Sequence, residues 1–266
     1  MQAKHVVITG GTKGIGLGLA RSFLNLGCTL TICSRSQEHL DKALSILENS
    51  YSPDRYLGLT CDVTKPREVQ DLWIQSIKRF KKVDVWINNA GMGQPYKNIW
   101  ELEPEFIHNI TATNISGMII GSQVAFKGMM DQGFGKIFNM EGFGSSGMKR
   151  PRLSVYGTTK SALTYFTRSM IKEMGSSPVI LGTISPGMVV TDLLLQPVAK
   201  ENPEYKTTLR VFNLMANTVE SVTPWLAQKV LKTKKQGARI RYNTPFKFIF
   251  RFLKNLLTNR KIIPEV

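Results

Sequence analysis

A chain of 266 residues that is 42% apolar and 20% charged can bury a large core, which excludes a disordered polymer. No apolar run reaches the ~18 residues of a membrane-spanning helix. The three cysteines, Cys28, Cys33 and Cys61, lack metal-ligand spacing, so they read as reduced core thiols and no metal site is expected. The net charge of +16 predicts attraction to polyanions or anionic membrane surfaces and is silent about fold.

The opening MQAKHVVITGG enters a strand at 6–9 almost at once, and no signal or transit peptide is expected ahead of it. An amphipathic helix at 14–26 precedes a strand at 29–33 and a helix at 37–49. A strand at 55–60 leads to a helix at 66–80, and a strand at 83–87 leads, past a loop, to a long helical region at 104–130. A strand at 136–140, a helix at 154–174 and a strand at 179–184 follow. Short apolar strands alternating with helices require a parallel sheet covered on both faces. Right-handed crossovers then wind it in both directions. No Pro/Gly linker divides the chain. The expected fold class is α/β: one doubly wound parallel sheet of the Rossmann type over residues 1–242, with a basic helical C-terminal extension at 243–266.

VVITGGTKGIGLGLA places Gly10, Gly14 and Gly16 between the first strand and the first helix. Glycines there let the backbone approach a pyrophosphate, whose charge rests at the helix N-terminus. The second strand ends in CSRS, with Arg35 and no acidic residue. A carboxylate at that point would accept from ribose hydroxyls and repel a 2′-phosphate. Arg35 and Lys13 instead offer cations to it, so NADP(H) is the expected cofactor.

Downstream, YGTTK puts Tyr156 and Lys160 on one helical face at i,i+4. Carbonyl reduction needs a proton for the nascent alkoxide, and a nearby ammonium favours the phenolate of a tyrosine.

The spacing TGxxxGxG from Thr9 to Gly16 resembles the short-chain dehydrogenase/reductase family, and the likeness runs to about residue 192. It implies that Thr12 and Ile15 join the glycine turn, and that Asp62 and Val63 of CDV contact the adenine. Asn89 and Gly91 of NNAG would line the cofactor, while Pro186, Gly187 and Thr191 of SPGMVVT would hold its nicotinamide end. Tyr156 becomes the proton donor and, with Lys160, a cofactor contact, Lys160 its partner and ribose ligand, and Asn114 of TNISG the support of a water linked to the lysine. One departure stands out. The serine that the family carries thirteen residues before the tyrosine is Phe143 here, and NxSS has become NMEG, Asn139 to Gly142. An inserted residue in this loop would bring Ser145 to the substrate oxygen as a one-donor oxyanion site; otherwise Ser145 and Ser146 are only loop residues. Glu141 reads as a structural acid.

NMEGFGSSG…VYGTTK with SPGMVVTDLLL is similar to the chlorophyll b reductase branch, as is LRVFNLMANTVESVTPWLAQKV. That resemblance implies NADPH-dependent reduction of a formyl group on a large lipophilic tetrapyrrole. Other lipophilic aldehydes or ketones, 3-ketoacyl or retinoid-like, stay open, as does a non-catalytic NADP-binding subunit. From Lys229 to Lys261 there are eleven Lys/Arg and no acid. Phe246, Phe248, Phe250, Phe252 and leucines surround Lys247, Arg251 and Lys254, the pattern of a helix in an anionic membrane interface or packed on the protein. No nucleic-acid module is present, and a homo-oligomer is left open. The expected location is cytoplasmic and peripheral to a membrane, the thylakoid if the pigment is the substrate.

Overall fold

The computed structural model describes residues 3–195, 205–243 and 262–263. Apolar runs form most of its strands, and period-two alternation divides their side chains between two cores. On β1 (His5–Thr9), Val6 and Ile8 enter one core while Val7 enters the other. β1 pairs in parallel with β2 (Thr29–Ser34) and β4 (Val85–Asn88). β3 (Tyr56–Thr60), β5 (Gly135–Met140), β6 (Val179–Ser185) and β7 (Arg239–Arg241) complete one parallel sheet in the order β3-β2-β1-β4-β5-β6-β7.

On one face lie α1 (Gly14–Asn25), α2 (Gln37–Glu48) and α9 (Val219–Lys232), whose Leu19, Phe23, Leu40, Leu47, Val222 and Leu226 pack around Ile8 and Ile32. The other face carries α3 (Pro66–Phe80), α5 (Gly117–Gln132) and α6 (Ser154–Met174), with Leu72, Trp73, Met129 and Met170 against Val7 and Trp86. Cys28, Cys33 and Cys61 are buried free thiols. Among the described residues no helix is long and apolar enough to cross a membrane.

Three departures from the expected elements matter. The long helix at 104–130 is divided into α4 (Pro104–Thr111), a π-helical turn (Ala112–Ser116) and α5. The turn holds Asn114, whose tertiary bonds displace the regular ladder, as π-bulges at functional sites commonly do. Past β6, α7 (Asp192–Leu195) and α8 (Tyr205–Met215) build a satellite cluster in which Leu209 and Phe212 meet Ile263. Asn213 Oδ1 accepts from the Ile262 and Ile263 amides, both at 2.8 Å, so the chain returns to α8 after the tail. Finally, β7 was not foreseen: its three residues RIR carry no apolar run. The proposed amphipathic tail at 243–266 lies, apart from Asn243, Ile262 and Ile263, outside the described residues.

Candidate active site

The sheet order reverses between β1 and β4, and crevices at such switch points beyond the strands' C-terminal ends are where doubly wound sheets bind ligands. The turn after β1 sits there. Gly10 has φ +62, and a Cβ on it would lie 2.8 Å from Ala90 Cα, so only glycine lets this turn lie against the loop after β4. Asn89 braces the turn: its Nδ2 donates to the carbonyls of Thr9 (3.0 Å) and Gly10 (2.8 Å). Thr9 Oγ1 in return accepts from the amides of Asn89 and Ala90. Lys13 caps α1 without a side-chain bond to the helix, and the first turn holds no acid. The orphan N–H groups there, with the helix dipole, suit the pyrophosphate of a dinucleotide. The residues present therefore fit a nicotinamide dinucleotide.

Thr12 and Gly16 are buried in the turn, while Ile15 reaches the cavity described below. Gly14 abuts Thr191, whose Cγ2 would lie 3.0 Å from a Cβ added there, so the glycine turn and the loop after β6 close on each other. Arg35 is exposed just past β2, on the same rim as exposed Lys13. Lys13 Nζ donates to His39 Nε2 at 2.8 Å, which adds to the rim a residue that the sequence did not nominate. Asp62 Oδ1 accepts from the amide (2.9 Å) and hydroxyl (2.8 Å) of Thr64, and Val63 is buried against Gly117.

At the chemical end α6 presents Tyr156 and Lys160 side by side, the Lys160 ammonium 5.8 Å from the tyrosine ring centre. Lys160 Nζ donates to the Met140 carbonyl at 3.2 Å. Burial pushes the Tyr156 phenol up to about 12 and pulls Lys160 down to about 8, against the opposing pull of the Glu141 carboxylate. The expectation of a tyrosine lowered by its lysine is thus reversed. Desolvation outweighs a cation that is itself buried and engaged elsewhere, and the phenol is kept protonated. Gly142 faces the pair directly: a Cβ there would collide with the Tyr156 hydroxyl and come within 3.1 Å of Lys160 Cγ and Cε.

Asn114 is buried, its Oδ1 accepting from the Met92 amide (2.7 Å) and its Nδ2 donating to the Met92 carbonyl (3.0 Å) and Thr159 Oγ1 (3.1 Å). Gly91 lies between it and Lys160, since a Cβ there would be 3.3 Å from Asn114 Oδ1 and 3.8 Å from Lys160 Nζ. Ser145 does not join the group. Its hydroxyl accepts from the Gly142 amide (3.1 Å) and donates to the Lys160 carbonyl (3.2 Å), which ties the loop down, and Ser145 is not among the residues lining the cavity. Phe143 and Ser146 line the wall instead. Beneath them, Asn139 accepts from Asn88 Nδ2 (2.8 Å) and donates to Thr167 Oγ1 (3.0 Å), a buried polar ladder under the site.

Sequence reasoning missed two further residues. Gln94 Oε1 accepts from the Tyr156 amide at 3.0 Å, fastening the loop after β4 to the start of α6. Arg239 of β7 grips Glu141 with Nε (2.7 Å) and Nη2 (2.6 Å), and Thr183 Oγ1 donates to the same carboxylate. This places the structural acid in a bidentate ion pair on the cavity floor. The cavity holds about 350 Å³ and is walled mainly by apolar side chains, among them Phe143, Met148, Leu153, Met188 and Phe212. Tyr156, Pro186, Gly187 and Thr191 also open onto it.

The "Probable chlorophyll(ide) b reductase NYC1, chloroplastic" of Arabidopsis thaliana is 35% identical over 258 residues, covering 91% of this chain and 51% of that protein. "Chlorophyll(ide) b reductase NOL, chloroplastic" of the same plant is 34% identical over 239 residues, 88% of this chain and 67% of that protein. The chain thus spans about half to two-thirds of these relatives. Levodione reductase, at 21% identity, superposes with a TM-score of 0.81 over 91% of this chain and 97% of its own. Residues 4–202 match the family model for short chain dehydrogenases, and the chain belongs to the short-chain dehydrogenase/reductase family.

Proposed function

We propose that this chain reduces a carbonyl to an alcohol with NADPH, and that its substrate is the formyl group of a chlorophyll b-type pigment, converted to hydroxymethyl. The observation that carries the reading is Tyr156, with the buried Lys160 beside it, opening onto a mainly apolar cavity beside a dinucleotide-fitting turn. A nicotinamide supplies the hydride when bound. Tyr156, protonated at neutral pH, donates its proton to the oxygen that gains negative charge. Lys160 holds positive charge beside it and, in this reading, the cofactor ribose. Asn114 fixes the backbone around Met92 and supports the relay to Lys160. Ser145 positions the loop, and Ser146 is the hydroxyl available on the wall to the carbonyl. The named activities of the plant relatives support the pigment, and their chloroplastic designation supports work in the same compartment, at a thylakoid surface if the pigment is the substrate.

Purified protein with NADPH and chlorophyllide b, followed by absorbance, tests this. Loss of the formyl band supports it; an unchanged spectrum with rapid turnover of a 3-ketoacyl or retinoid-like carbonyl replaces it with the alternative reading. That alternative draws on the cavity itself, whose volume lies at the small end of ligand sites.

The charge argument at the adenine end gives a direct expectation. Arg35→Glu raises the KM for NADPH by about 10–100-fold and lessens the preference over NADH, because it removes a cation and adds a repelling carboxylate. Steady-state kinetics with both cofactors reads this, and an unaltered NADPH/NADH ratio would remove Arg35 from the site.

The pH dependence follows from Lys160. Its ammonium is present below about 8 and lost above it, so the reduction rate falls as pH rises through that value. Glu141 holds the ammonium's pKa up, so Glu141→Gln shifts the fall to lower pH. A kcat profile from pH 6 to 10 (roughly the span that brackets the lysine's ordinary and lowered values) measures it. A limb that stays in place in the variant rules out this coupling.

A further inference from the structure

The mouth of the cavity carries charge that the chemistry above does not use. MKRPR at 148–152 holds three cations in five residues, and its Met148 and Arg150 line the cavity. Arg150 lines the cavity, its guanidinium 5.7 Å from the centre of the Tyr96 ring, and Arg152 stands 4.8 Å from the same centre. Both are within cation–π range, so one ring organises two like charges. Among the described residues neither guanidinium forms an ion pair with a carboxylate. Arg152 moreover sits at φ +64, a left-handed conformation that non-glycine residues seldom adopt and that its neighbours must impose. The loop that carries Tyr96 is anchored nearby, since its Gln94 is buried and bonded to the first turn of α6. The two arginines are thereby gathered about one ring beside Tyr156's cavity, whose wall is otherwise mainly apolar.

We propose that Arg150 and Arg152, organised by Tyr96, form a carboxylate subsite, so that the preferred substrate bears a free acid group on the edge remote from its reacting carbonyl. The inference rests on the reading of the cavity as a carbonyl-reducing site. A planar pigment is larger than the enclosed space and enters formyl edge first. In a chlorophyll b-type macrocycle the propionate ring lies across from the formyl ring, which brings the propionate to the mouth. As the free acid it meets two forked donors that match a carboxylate; as the phytyl ester it offers neither charge nor a second acceptor oxygen of equal strength. The subsite thus selects the dephytylated pigment over its ester.

The test compares chlorophyllide b with its methyl ester in the same detergent, using full-length protein and NADPH. Wild-type protein should favour the acid in kcat/KM by about tenfold or more, and R150Q/R152Q should lose that preference through KM rather than kcat. Quenching of tryptophan fluorescence by the acid and ester reads the same ratio without turnover. Pigments that bind but are not reduced would therefore end the proposed function while the binding ratio still decides the subsite. Equal handling of acid and ester by the wild type, absence of binding for both, or an equal loss on both in the variant overturns the subsite. So does a variant whose sole defect is weaker binding to phosphatidylglycerol vesicles, because the arginines would then serve lipid headgroups.

Discussion

Tyr156→Phe is expected to lower kcat for carbonyl reduction by about 10²–10⁴-fold, the usual contribution of a positioned proton donor. The loss falls on chemistry alone. Removing one oxygen leaves the ring in place beside Lys160, and the glycine turn that carries the dinucleotide reading is braced by Thr9 and Asn89, remote from the phenol. NADPH affinity measured by fluorescence titration should therefore match wild type while NADPH oxidation in the presence of substrate collapses. A variant with full turnover would show that the proton comes from elsewhere, and full biological effect without turnover would favour a non-catalytic NADP-binding subunit.

Gly142→Ala should cost almost as much, although position 142 supplies no reacting group. The added methyl would occupy the space of the Tyr156 hydroxyl and crowd the Lys160 stem, whose Cγ and Cε would both be 3.1 Å away. The tyrosine cannot yield by a small torsion without taking its oxygen off target, and misplacement of a catalytic group by about 1 Å is worth on the order of 10²-fold in rate. Because the Gly142 amide is also tied to Ser145, the loop has little room to retreat. The measurements are kcat and the thermal midpoint. Wild-type kcat would show that the loop gives way after all, whereas a lowered kcat with an unshifted midpoint locates the damage in the chemistry. The requirement also accounts for part of the altered motif: where the chain writes Glu141-Gly142-Phe143, the glycine keeps clear of the phenol while Phe143 turns to the cavity wall.

The sheet was largely legible because its strands are locally marked. Runs such as VVIT and VILGTI alternate with amphipathic helices, and each appears within a few residues of its expected bounds. β4 starts later than anticipated, at Val85, since the Val83 amide is satisfied by the Gln132 side chain instead of a neighbouring strand. β7 and the π-turn were invisible for opposite reasons. The strand is too short to show a period, whereas the turn has the pattern of uninterrupted helix until Asn114 finds Met92 and Thr159 in space. At the site, spacing read together with its strand and helix context and the family resemblance brought out Tyr156, Lys160 and the glycine turn. It nominated Ser145, whose hydroxyl is instead engaged by the Gly142 amide and the Lys160 carbonyl, contacts that no spacing reveals. Nor could it pair Glu141 with Arg239 across 98 residues, a contact made only when β7 joins the sheet edge.

Met188, Leu193, Leu194, Thr208 and Phe212, all contributed after β6, close one side of the cavity, while Tyr156, Gly142 and Glu141 belong to segments before it. Anchorage differs too: the later segment packs largely in its own satellite cluster and is stitched to the chain's return at Ile262 and Ile263. Such a division of labour has an evolutionary consequence. Descendants can swap or reshape the recognition flap and acquire new clients while the proton-delivery apparatus is inherited untouched.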